Sequence, residues 1–284
     1  MCRLLGWVAR PGMSLYDVLG ENSFVAFAQL SRIHADGWGL ATVSGDEIQV
    51  RRSTAAATAD PMFREAATEV VSEAGVAHLR WASPGLPVEL CNAHPFLYGS
   101  TAFAHNGGIY PLNRVGELLT DEWGARLTGT TDSEHYFLAI MAEVEDHGRD
   151  VAAAIGRVTA RLAAKYQPSS LNAMLLTPEA LYVINCHDTS TSPVLPPLEP
   201  ASVDGLVEAA ETQAPYYDLR YRRTPTSFVV ASSGFAQPEG GGWQRIVNNS
   251  VLVADRGSMA MKTVPLDVEL KPTAAEAAAG QQLR

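Results

Sequence analysis

The chain opens Met1-Cys2-Arg3-Leu4-Leu5-Gly6-Trp7, MCRLLGW. From Arg3 to Ala9 the run RLLGWVA reads as a buried strand, apolar and too short for a core helix. Cys2 therefore stands at the very end of a strand. Removal of Met1, which a small second residue permits, would leave Cys2 carrying a thiol and a free α-amine on one residue. Their ordinary pKa values are about 8.5 and about 7.7–8.0. An amine that titrates near neutrality beside a sulfur nucleophile can serve as its base. Taken alone, the opening is better explained by a buried or incidental cysteine.

Outward from that strand the pattern is mixed. SFVAFAQLS (residues 23–31) reads as a short helix, and GWGLATV with EIQVRR reads as a hairpin around Ser44-Gly45-Asp46. DPMFREAATEVVSEAG predicts a helix from Asp60 to Gly75. Asp60 would cap it, Pro61 fits its first position, Gly75 would stop it, and Phe63, Ala66, Ala67, Val70 and Ala74 would form its apolar stripe. VAHLRWA and STAFAHN read as strands. TDSEHYFLAIMAEVEDHG reads as a helix with a capping-box pattern, Thr131 followed by Glu134. A further helix is expected over about 150–165, then strands LNAMLLT and ALYVINC, a Ser/Thr/Pro-rich surface loop over 188–204, and strands SFVVASSG and SVLVADRG. Strands in clusters with paired helices between them suggest sheets layered with helices, an α+β arrangement rather than an alternating parallel sheet. No repeat or linker divides the chain. One domain over 1–271 and a frayed tail over 272–284 are expected.

The 284 residues carry a formal charge of −10 and are 46% hydrophobic and 18% charged. That balance supports a globular core and argues against nucleic acid or an anionic membrane as partners. Three cysteines are not a disulfide framework, and no apolar run reaches the length of a membrane helix, so a cytoplasmic protein is expected. No phosphate loop of the G-x-x-x-x-G-K type is present. No cofactor and no metal are expected.

Four further stretches could carry chemistry. In HLRWAS (78–83), Arg80 offers a planar fork to a carboxylate, or forms an ordinary ion pair. In AHNGGIY (104–110), Asn106 and Gly107 could aim an amide and a backbone N–H at an oxyanion, or make a simple turn. Asp132 opens a helix, where it either holds an ammonium group or serves the helix dipole. Cys91-x-x-His94 and Cys186-His187 can be read as a zinc quartet, but the spacing is loose and an adjacent pair strains tetrahedral coordination.

Taken in order, MCRLLGW, HADGWGLA, HLRWAS, NAHPF, HNGGI and TDSE, spanning residues 1–136, resemble the glutaminase domain of class II glutamine amidotransferases, in the N-terminal-nucleophile hydrolase superfamily. A weaker likeness continues through NAMLLT, SFVVASS and WQRI. The resemblance implies a four-layer αββα sandwich. It implies Cys2 as nucleophile, Asn106 and Gly107 as the oxyanion hole, Arg80 and Asp132 as the clamps for an amino acid's carboxylate and ammonium, Trp81 and Ser83 bordering the pocket, and His94 as structural support. The implied reaction is hydrolysis of the γ-amide of glutamine or a γ-glutamyl compound through a thioester. The MCRLLGW opening looks like the stand-alone group, which includes the ergothioneine-pathway enzyme that removes glutamate from a γ-glutamyl conjugate. A homo-oligomer or a separate acceptor subunit that takes the ammonia are the partners such a protein would have. The rival reading is a non-catalytic sandwich that binds γ-glutamyl ligands. YYDLRYRR (216–223), poorly covered by the resemblance, reads as a leaving-group contact, a solvated basic patch or a subunit contact.

Overall fold

The computed structural model describes residues 2–83, 85–148, 150–190 and 215–270. The expected tail over 272–284, and the expected loop beyond residue 190, lie outside them.

Two antiparallel sheets form the centre. The first contains β1 (Arg3–Met13), β2 (Trp38–Ser44), β3 (Glu47–Ser53), β4 (Ser72–Leu79), β11 (Leu219–Arg223), β12 (Ser227–Ser232) and β13 (Trp243–Arg245), in the order β13-β11-β12-β1-β4-β2-β3. The second contains β5 (Phe96–Tyr98), β6 (Thr101–Asn106), β9 (Asn172–Leu176), β10 (Ala180–Asn185), β14 (Ser250–Asp255) and β15 (Met261–Pro265), in the order β15-β14-β10-β9-β6-β5. A small ribbon pairs β7 (Ile109–Tyr110) with β8 (Gln167–Pro168). The helices are α1 (Leu15–Leu19), α2 (Glu21–Gln29), α3 (Pro61–Glu69), α4 (Asp121–Gly124), α5 (Asp132–Asp146) and α6 (Val151–Lys165).

Side-chain alternation on the strands accounts for the layering. Leu5, Trp7 and Ala9 of β1 pack with Leu15, Phe24, Phe27 and Phe63 from α1, α2 and α3. Leu4 and Val8, on the other face, pack with Ala102, Ala104, Met174 and Leu181 of the second sheet. That sheet's far face, with Phe103, Ala173 and Leu175, packs with Tyr136, Phe137, Ile155 and Val158 of α5 and α6. Three cores thus lie between four layers, helix, sheet, sheet and helix, as expected. Gly6 lets the sheets close on each other, because a Cβ there would lie 2.9 Å from side-chain atoms of Leu181 and Met174.

The predicted helix over 60–75 is corrected. Asp60 does cap α3, accepting from the Met62 N–H at 3.0 Å, but the helix ends at Glu69. Val70 is already extended, and Ala74 and Gly75 belong to β4, which pairs with both β1 and β2. Gly75 is not a helix stop. It is opposite Trp7, whose indole occupies the space a Cβ would need. The capping box is half formed. Thr131 Oγ1 accepts from the Glu134 N–H at 3.2 Å, while the Glu134 carboxylate takes the N–H and hydroxyl of Thr128 and the N–H of Gly129. YYDLRYRR is not a solvated patch: Tyr216 and Tyr217 are buried and β11 is an internal strand of the first sheet.

Candidate active site

The site is assembled where β1 begins and β6 ends, at facing strand ends of the two sheets. Leu4 is opposite His78 and Arg3 opposite Leu79 in the β1–β4 register, so two residues beyond Leu4 Cys2 comes opposite Arg80. Cys2, Leu4, His78 and Arg80 therefore share the face directed at the second sheet. From that sheet Asn106 completes the junction. Its Oδ1 accepts the backbone N–H of Cys2 at 2.7 Å. An N–H can pair only with the amide's oxygen, so this bond fixes the amide's orientation and turns Nδ2 away. Nδ2 is buried without a partner. Cys2 is 7% exposed, its Sγ lies 3.7 Å from the Trp81 carbonyl, and its own carbonyl accepts the Tyr216 hydroxyl at 3.1 Å.

Arg80 is held from three sides. Its N–H donates to Gly37 O at 2.8 Å, its carbonyl accepts from Asp36 N at 3.0 Å, and its Nη2 donates to Pro87 O at 3.0 Å. Its Nη1 is buried with no partner. Asp36 also accepts the Ala82 N–H at 2.8 Å, so the HADG turn fixes the exit of β4. Trp81 and Ser83 follow on that exit, both half-buried. Asn92 joins this loop to the approach of α5: Nδ2 donates to Pro87 O and Thr130 Oγ1, and Oδ1 accepts Thr130 N at 2.8 Å. The Thr131 cap then sets Asp132 at the first position of α5. Asp132 Oδ2 accepts the Ile109 N–H at 2.8 Å, which ties α5 to the turn carrying Gly107. A Cβ on Gly107 would collide with the Ser170 carbonyl, so only glycine allows this close approach.

Unsatisfied polar atoms concentrate here. Of thirteen buried side-chain nitrogen and oxygen atoms without a partner among the described residues, six belong to His78, Arg80, His94 and Asn106. Folded proteins pair such atoms with protein groups or ordered water, so the cluster marks a polar site that water or a ligand would satisfy. The surroundings are buried. Burial lowers the His78 pKa to about 3, with Arg80 adding to the effect, and burial likewise lowers His34, His94 and His105.

The expected residues Cys2, Arg80, Asn106, Gly107 and Asp132 are thus linked by strand register and hydrogen bonds. Four positioning residues escaped sequence reasoning. Asp36 and Asn92 lie inside quoted strings but look like ordinary turn residues. Tyr216 was masked by neighbouring arginines. Asn172 opens the weaker string NAMLLT and reads there as an ordinary strand residue, yet its Nδ2 donates to Tyr217 O at 2.7 Å and its Oδ1 accepts from Cys186 N at 2.8 Å. His94, expected as structural support, packs its ring 4.3 Å from that of His78. The quartet Cys91, His94, Cys186 and His187 is not assembled: no three of them gather as ligands among the described residues. Burial pushes the Cys186 thiol up to about 12.

Residues 1–276 match the family model described as class II glutamine amidotransferases. The chain is 28% identical over 163 residues to a glutamine–fructose-6-phosphate aminotransferase of Zymomonas mobilis, covering 57% of this chain and 25% of that protein. It is 30% identical over 132 residues to a gamma-glutamyl-hercynylcysteine sulfoxide hydrolase of Mycobacterium tuberculosis, covering 43% of this chain and 57% of that one. In fold it matches a glutamine aminotransferase class-II domain protein of Silicibacter pomeroyi, with a TM-score of 0.62, 19% identity, and coverage of 95% and 100%. The chain spans about a quarter or less of the first several curated relatives it matches.

Proposed function

The chain belongs to the class II glutamine amidotransferases, amide-hydrolysing enzymes, and on that premise we propose that it hydrolyses the γ-amide of glutamine or a γ-glutamyl compound with Cys2 as nucleophile. One observation carries the reading: the Cys2 N–H holds Asn106 by its Oδ1, which leaves that residue's amide donor buried and without a partner at the Cys2 junction.

The steps follow from the positions. Arg80 Nη1 receives the substrate's α-carboxylate. Asp132, with Oδ2 committed to Ile109, offers Oδ1 to the α-ammonium. Once Met1 is removed, the Cys2 α-amine takes the thiol proton as Sγ attacks the γ-carbonyl. Asn106 Nδ2 and the Gly107 N–H stabilise the oxyanion. The α-ammonium then returns a proton to the departing nitrogen, which leaves as ammonia or an amine. Water attacks the thioester, and glutamate departs with the thiol restored. Trp81 and Ser83 border the leaving group. The hydrolase named among the relatives supports a γ-glutamyl conjugate as the substrate class. A glutaminase that passes ammonia to an acceptor subunit would use the same residues.

The test is a panel of glutamine, γ-glutamyl amides and γ-glutamyl peptides, with released glutamate as the readout. Wild type should hydrolyse at least one of them and Cys2→Ala none. Equal rates in the two proteins would overturn the thiol mechanism. Binding of a γ-glutamyl ligand without any turnover would favour a non-catalytic sandwich.

A further inference from the structure

We propose that Cys2, His78 and His94 form a binding site for a thiophilic divalent cation of the zinc type, and that the bound ion reversibly blocks the site. The blocking rests on Cys2 being the nucleophile. The binding does not.

The three residues come from separate segments. Cys2 precedes β1, His78 is on β4 with its ring on the same face of the sheet, and His94 enters just before β5. Their ligating atoms all lie within 4.8 Å of one another. A tetrahedral ion bound at about 2.3 Å to sulfur and about 2.0–2.1 Å to nitrogen holds its donors roughly 3.5 Å apart. Small side-chain rotations close the observed spread without moving the sheet.

An independent observation points to a ligand. His78 is 1% exposed and His94 5%, yet neither ring nitrogen of His94 has a partner and His78 has at most the His105 backbone carbonyl. The rings meet edge to face at 69°, and the other neighbouring ring, Phe96, offers no hydrogen-bonding atom. A buried imidazole normally engages at least one nitrogen. An ion between the rings and the sulfur would engage one on each.

The donor chemistry selects the class of ion. One thiolate and two imidazoles suit zinc or cobalt and disfavour magnesium and calcium, which take oxygen ligands. Three protein ligands leave the fourth position open, as in accessible rather than closed zinc sites. Coordination releases the thiol proton to solvent and changes no oxidation state. Arg80 shares this face, and its charge opposes a dication. The affinity expected is therefore below that of a four-ligand structural site. This set is distinct from the quartet the sequence suggests; only His94 is common to both.

The experiment uses the intact protein, stripped with EDTA, desalted into a thiol-free reductant and titrated with Co²⁺. Wild type should show the thiolate-to-cobalt charge-transfer band and the intense visible bands of tetrahedral cobalt, saturating at one ion per chain and displaced by Zn²⁺. Cys2→Ala should lose the charge-transfer band. His94→Gln should weaken Zn²⁺ binding by about tenfold or more, with near-ultraviolet circular dichroism like wild type. Should that variant fail to fold, Cys2→Ala still decides the matter. Zn²⁺ should inhibit γ-glutamyl hydrolysis and EDTA restore it. Absence of the band in wild type, as expected if a water alone sits between the rings, or its persistence in Cys2→Ala, would overturn the site. Hydrolysis without cobalt binding would overturn this inference and leave the proposed function standing. Cobalt bound through Cys2 in a protein that hydrolyses no γ-glutamyl compound would do the reverse.

Discussion

Asn106 shows how one side chain can do two jobs. Its Oδ1 is bound to the Cys2 nitrogen, so its Nδ2 has a fixed direction before any substrate arrives. A preoriented donor costs no reorganisation as charge develops on the oxyanion. Asn106→Ala should therefore lower kcat by on the order of 100–1000-fold and leave KM nearly unchanged, measured by steady-state glutamate release. A variant that loses affinity but keeps kcat would place Asn106 in substrate binding instead. The identity of this residue was legible in the sequence because HNGG stands out as a string. Its pairing with Cys2 was not, since 104 residues separate the partners and only the closing of two sheets brings them together. Asp36 and Asn92 were illegible for a related reason. Their partners are mostly backbone groups, the Ala82 N–H for Asp36 and the Thr130 N–H and Pro87 carbonyl for Asn92, which any sequence supplies.

Among the elements, β4 is the instructive case. Its residues Ala74, Gly75, Val76 and Ala77 are buried on both faces, so the strand lacks the alternation that identifies a half-exposed one. Small residues following a well-capped helix read as more helix. The deciding contact is remote: the Trp7 indole lies over Gly75, a pairing that only the β1–β4 register reveals. Gly75→Ala should destabilise the protein by about 1–3 kcal/mol through overpacking, seen as a lower denaturation midpoint with an unchanged slope. An unchanged midpoint would mean that Trp7 moves aside at no cost. Strand β1 and helices α5 and α6 were legible because they carry caps or an uninterrupted apolar run. β11 was hidden, because three arginines around a single tyrosine resemble a charged surface, whereas in the fold Arg222 covers Trp243 at 5.3 Å.

For the molecule as a whole, the sheets close over ionisable groups that stay neutral. No helix among the described residues is long and apolar enough to cross a membrane, and the buried histidines tell more about behaviour in water. Burial lowers the pKa of His34, with Arg3 contributing, and burial lowers that of His187. A histidine with a folded pKa below its unfolded value of about 6.5 binds more protons when unfolded. Its contribution to stability is complete above that value and is lost as pH falls below it. The thermal midpoint should thus be lower at pH 5 than at pH 7.5, and His34→Gln should reduce that difference. A midpoint equal or higher at pH 5 would contradict neutral burial of these rings.

The central claim is that Cys2, freed of Met1, becomes acylated by the substrate. Acid-quenched mass spectrometry of the active protein mixed with glutamine or its best γ-glutamyl substrate tests it most directly. The account predicts a chain lacking Met1 with a γ-glutamyl adduct on Cys2 that disappears as substrate is exhausted. An active protein that retains Met1 throughout, or turns over with no adduct while Cys2→Ala matches its rate, would contradict it.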